Sequence, residues 1–149
     1  MKPIITLLLL SICSYAMCQK DNTQILEQRA KDFHVAISKD DKEVWRKFMN
    51  NNFTNDLIER PMRAKISTSE NDGTNTSSNN ETRVAEKLHM FQQLHEDFGS
   101  GNISSITVTG NTVKMIVTAG GRKGIFLLTC EDKPSWLIDK LGIEVEAEN

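Results

Sequence analysis

Apolar residues in the first half of the chain recur every three or four positions. Leu26, Ala30, Phe33 and Ile37 form one stripe on a helix that begins at Asp21, where Asp21 and Gln24 are spaced to cap its first turn. A second, shorter helix restarts at Asp40 or Asp41. Asp40 and Glu43 stand three apart as in a capping box, and Val44, Trp45, Phe48 and Met49 supply an apolar side. Asn50-Asn51-Asn52 ends it, because asparagine competes for backbone hydrogen bonds and tolerates left-handed geometry. Residues 53–66 read as a short helical turn and then a loop, since Pro61 steers Arg60 away from helical backbone. A third helix spans Glu81 to Phe98. Its stripe is Val84, Leu88, Phe91, Leu94 or His95, and Phe98, with Gly99 or Gly101 as the left-handed stop.

Beyond residue 101 the period drops to two. NISSITVT, TVKMIVTA, RKGIFLLTCE and SWLIDKLGIEVE are strand-like runs rich in Ile, Val, Thr and aromatics. Gly110-Asn111, Gly120-Gly121 and Asp132-Lys133-Pro134 separate them, and connections that short force antiparallel neighbours. Helices followed by strands define an α+β fold: N-terminal helices packed on a curved four-stranded antiparallel β-meander.

Two segments stand outside this pattern. STSENDGTNTSSNN, residues 67–80, holds no apolar residue and cannot offset the entropy of ordering, so it is expected to be a disordered polar loop. Residues 1–18 have the layout of a secretory signal peptide: Lys2, an apolar run from Ile4 to Ile12, then SYAMC. That run is too short to span a bilayer. Cleavage after Ala16 or after Cys18 puts small residues at −3 and −1. A lipid on Cys13 or Cys18 is disfavoured by the bulk of Ile12 and Met17. The expectation is export to the periplasm or beyond, with residues 19–149 forming one domain of ordinary size.

Composition narrows the partners. Net charge is −2, and loss of the leader removes only Lys2 from the charged set. Basic residues are interspersed with acids, which argues against nucleic acid, and no later stretch could span a membrane. Cys130 lies in GIFLLTC, a strand pattern that predicts a half-buried, inert thiol. Sequons occur at Asn52, Asn75, Asn80 and Asn102, in a chain rich enough in asparagine to make them uninformative.

The candidate chemistry centres on LHMFQQLHEDFG, residues 88–99. His89 and His95 are six apart, about 120° out of register on a helix, a poor clamp for zinc. The histidine His95 borders the apolar stripe, as His34 does beside Phe33. Each could be a packed histidine tied to a carbonyl, or a base if a carboxylate faced it in a pocket. Trp45 and Trp136 read as core or pocket wall. Nucleophile-elbow, Walker, Rossmann and Cys-x-x-Cys patterns are missing, and no cofactor or metal is implied.

From Leu88 onward the chain resembles a small exported bacterial domain. Asp97-Phe98-Gly99, the strand Ile125 to Glu131, the turn Asp132 to Pro134 and the strand Leu137 to Val145 carry the likeness, and FHVAISKDDKEVWRKFMNNNF resembles its opening helices. Such domains occur alone or fused to serine hydrolases of the β-lactamase type, and are similar to the nuclear transport factor 2-like superfamily. The resemblance implies a cone-shaped fold with helices held in a curved sheet. Its isomerases and cyclases use Asp, His or Tyr in the cone. The lone tyrosine here, Tyr15, lies in the leader.

These readings give a secreted or periplasmic, non-catalytic domain that binds a small apolar ligand or a protein partner. Its cone would be lined by His34, Trp45, His95 and Trp136. The alternative is a small isomerase or cyclase, with His34 or His95 as base and Asp97 or Asp139 as partner. A filled interior would leave a third reading. In that case the sheet face bearing Ser105, Thr107, Thr112 and Thr118 would dimerise or dock another exported protein.

Overall fold

The computed structural model describes residues 22–60, 80–132 and 134–147. Residues 1–18, expected to be a leader, Asp21 of the first proposed cap and polar residues 67–79 lie outside the described residues. Helix α1 covers 22–37, and the whole predicted stripe Leu26, Ala30, Phe33 and Ile37 is buried on it. Helix α2 spans Lys42–Asn52. Its cap corrects the expected Asp40–Glu43 box. The side chain of Asp41 accepts from the backbone N–H groups of Glu43 (2.8 Å) and Val44 (3.4 Å), so it satisfies two otherwise orphaned donors. The short helix α3, Asn55–Glu59, is capped by the Thr54 hydroxyl, which accepts from Leu57 N–H at 3.1 Å. Helix α4 runs Asn80–Phe98, one residue longer than its stripe predicted.

Strands β1 (Asn102–Thr109), β2 (Thr112–Ala119), β3 (Arg122–Cys130) and β4 (Ile138–Ala147) form one sheet in chain order, each antiparallel to the next. This is the expected meander, and the fold is α+β. Both predicted two-residue turns form. Gly110 takes φ 61°, and Gly120 and Gly121 take 56° and 77°, backbone that matches the right-handed twist of a hairpin. The β3–β4 connection holds Trp136 at φ 48°, a left-handed conformation unusual for so large a side chain.

One face of the sheet is apolar throughout. Val113, Met115 and Val117 of β2 lie opposite Leu128, Phe126 and Gly124 of β3, and all six are buried. Onto them the helices lay their rings. Phe33 of α1 sits 5.8 Å from each of Phe48, Phe91 and Phe126, so one side chain joins α1, α2, α4 and β3. Phe98 meets Phe126 edge-on at 5.5 Å and 87°. Each such pair is worth about 0.5–1.5 kcal/mol beyond its buried area. Gly124 makes room for this contact: a Cβ there would lie 2.8 Å from two atoms of the Phe98 ring.

Candidate functional site

Two of the four proposed cone residues, Trp45 and His95, come together where the end of α1 crosses the end of α4. The ring of His95 contacts the Ile37 carbonyl through Nδ1 at 2.9 Å. The chains approach closely there because residue 99 is glycine. A Cβ at Gly99 would fall 2.6 Å from His95 Nδ1 and 2.8 Å from the Ile37 carbonyl oxygen. Neither Gly99 nor Gly101 has positive φ, so the expected left-handed stop is replaced by a glycine needed for clearance. Trp45 is fully buried beside them. Its indole N–H donates to the carbonyls of Ala36 (3.1 Å) and Lys39 (2.8 Å), and its ring stacks on Phe91 with His95 6.3 Å away.

Half-buried His34 stands beside the Gly101 backbone, which partly offsets the effect of burial. Burial nevertheless holds its pKa below the ordinary 6.5. Its Nε2 is buried with no hydrogen-bond partner. Trp136 is placed elsewhere. It is buried in the β3–β4 connection, next to Ser135, whose carbonyl accepts from Arg29 of α1. It pairs with no ring among the described residues. His89 is exposed, as its spacing from His95 implied.

A base needs a carboxylate or a substrate, and the described residues bring no carboxylate to either histidine. Asp97 is ion-paired with Arg122. Asp139 accepts from Thr54 Oγ1 at 3.3 Å and lies 3.8 Å from Arg60. Both candidate partners are thus engaged with groups other than the histidines. Buried Cys130 has its thiol pushed up to about 11 by burial, against the opposing influence of Arg29. At neutral pH it is a packed, protonated thiol. No group of three or more His, Cys, Asp or Glu among the described residues is arranged to hold a metal ion, and no described helix is long and apolar enough to cross a membrane. At Asn52, a sequon position, both ends of the amide are engaged: Nδ2 donates to the Phe48 carbonyl at 2.8 Å and Oδ1 accepts from Arg29.

The space between α1 and the sheet holds side chains. Phe33, Trp45, Phe91, Phe98 and Phe126 are each 0–1% exposed and touch one another in an unbroken series. Two features were not anticipated from the sequence. Lys87 of α4 is 1% exposed, its ammonium donating to the Arg60 carbonyl at 2.6 Å, and burial lowers its pKa. Its place beside Leu88, one position off the stripe, was the signal available. The second is an open groove of about 540 Å³ between α4 and β4, lined by Met90, Leu94, Phe98, Ile143 and Val145 with Glu96 and Asp97 at its rim.

Site and fold together define an α+β domain with a ring-filled interior and one sheet face covered by helices. Neither a family model, nor a curated protein, nor a solved structure matches this chain.

Proposed function

We propose that this chain is an exported, non-catalytic docking domain whose working surface is its sheet, built on a nuclear transport factor 2-like plan. The observation that carries the reading is the state of the two candidate bases. His95 is tied to the Ile37 carbonyl and His34 lies beside the Gly101 backbone, while their supposed carboxylate partners serve Arg122 and Arg60. An isomerase-type site needs a base facing a cavity, and here interlocked rings occupy the interior. The leader supports export. Protein rather than small-molecule binding follows from the packed interior and from the sheet face opposite the helices. On that face Lys114, Ile116, Thr118, Lys123, Leu127 and Glu144 mix apolar and charged groups, as docking surfaces do.

The test is an NMR titration of the His34 and His95 rings with and without a library of small apolar ligands. On this reading His34 titrates below 6.5 and no ligand moves either ring. A ligand that shifts either histidine would return the interior to the position of a working pocket and sink the proposal.

A further inference from the structure

The fourth strand leaves one edge of the sheet open. Ala119 and Arg122 flank the two-residue Gly120-Gly121 turn and therefore exchange both of their hydrogen bonds. Alternation from that pair commits Lys123, Ile125, Leu127 and Thr129 of β3 to β4, and with them their partners Glu146, Glu144, Gly142 and Lys140. Leu141, Ile143 and Val145 consequently turn their backbone N–H and C=O groups outward. Among the described residues this edge is covered only at its start. There Phe53 makes a parallel bridge to Ile138 and Thr54 N–H donates to the Ile138 carbonyl at 3.0 Å. The same three outward residues put their side chains on the helix side of the sheet, opposite Leu128, Phe126 and Gly124. Val145 is 49% exposed there, and with Ile143 it forms one wall of the α4–β4 groove.

We propose that this edge pairs antiparallel with β4 of a second copy, with Ile143 opposite the partner's Ile143 on a two-fold axis perpendicular to the sheet. The proposal rests on the sheet being the working surface and names what that surface takes. The sequence of β4, IDKLGIEVEA, is self-complementary in this register. Leu141 faces the partner's Val145, and Lys140 faces the partner's Glu146, each twice by symmetry. Gly142 faces the partner's Glu144, so no like charges meet directly. A shift that centres Gly142 drives the partner's Glu146 against Ile138, where Thr54 already sits. A shift the other way sets Glu144 directly against the partner's Glu144, a like-charge pair. The edge of β1 offers no such match, since NISSITVT is uncharged and its register slips between Ile103 and Ser105. Pairing two sheets joins eight strands, satisfies the outward backbone of residues 141–145 and brings the two apolar grooves together on one side.

Sedimentation velocity on the purified full chain tests this through charge swaps. The unaltered protein should show a concentration-dependent monomer–dimer equilibrium. Lys140→Glu sets acids against acids and Glu146→Lys sets bases against bases, and each alone should raise the dimer dissociation constant about tenfold or more. An equimolar mixture should recover the dimer, because the K140E copy then presents acids at both positions to bases at both positions of the E146K copy. Recovery also shows that both variants fold, including E146K, which gives up its own 2.8 Å contact with Lys123. A protein that stays monomeric at every concentration, a dimer indifferent to either swap, or a mixture that fails to recover would each overturn the pairing. Any of these would leave the docking reading to be judged by its own histidine titration.

Discussion

Replacing Gly124 with alanine probes the tightest helix–sheet contact in the core. Position 124 lies on the helix side of β3, and its absent side chain is what lets the Phe98 ring settle on the strand. A methyl group there would stand 2.8 Å from Cε1 and Cζ of Phe98 and 2.9 Å from Cε2 of Phe126, whereas carbon atoms rest at about 3.5–4.0 Å. The ring must therefore retreat by roughly 1 Å. Phe98 is fully buried, and it is the last residue of α4, so its retreat drags on the crossing where Gly99 touches the Ile37 carbonyl. Overpacking of this kind costs about 1–3 kcal/mol. Alanine regains about 0.5–1 kcal/mol over glycine within a strand. The net expectation is a loss of about 1–2 kcal/mol, or roughly 3–10 °C in Tm for a domain of this size. Phe98→Leu alone should also destabilise by opening a cavity, yet in the Gly124→Ala background it should cost less, because the shorter side chain clears the new methyl. Urea unfolding of the two single variants and the double variant gives the coupling directly. If Gly124→Ala is neutral or stabilising, or if the two changes simply add, the clearance argument is wrong.

Three further outcomes follow from the ionisable groups. Burial holds His34 below 6.5, so the unfolded chain takes up a proton before the folded one does. Stability should accordingly fall as pH drops from above 6.5 through the lowered folded value, and His34→Met should flatten that decline in urea midpoints measured between about pH 5 and 8. Lys87→Met removes a buried ammonium whose one partner among the described residues is the Arg60 carbonyl, and should stabilise by about 1 kcal/mol or more at neutral pH. The depressed Lys87 pKa also predicts that the unaltered protein gains stability with rising pH just below 10.5, a gain the variant should lack in thermal melts. Cys130, pushed up to about 11, should react with thiol reagents near pH 8 only as fast as the domain opens. Labelling at the rate of a free model thiol would contradict its burial.

What the sequence disclosed was periodic, and what it withheld was tertiary. Leu26, Ala30, Phe33 and Ile37 announce their helix and its buried face because three- and four-residue spacing has one reading. The glycine-bearing turns announce the meander for a similar local reason, since two residues can join only antiparallel strands. The partner of His95 was not legible, because the Ile37 carbonyl lies 58 positions away and meets it only across a helix crossing. Lys87 defied expectation because residue type alone assigns a lysine to solvent, while its neighbours and Arg60 enclose it. Asp41 displaced Asp40 as the cap by a one-residue shift that adjacent aspartates leave open. Gly124 did leave a trace. A glycine inside an otherwise apolar strand marks a close approach, although nothing local tells that Phe98 is what approaches.

The central position of Phe33 has a temporal side. The ring is made early, on α1, yet one of the surfaces it packs against, Phe126 on β3, is synthesised about 90 residues later. At ribosomal rates that interval is roughly 5–20 s, during which the stripe of α1 has no sheet to cover it. The meander, by contrast, joins only successive strands and can assemble as soon as its last strand emerges. The N-terminal half is therefore the part of the newborn chain most in need of shelter, and the arrival of β3 with Phe126 is what ends the wait.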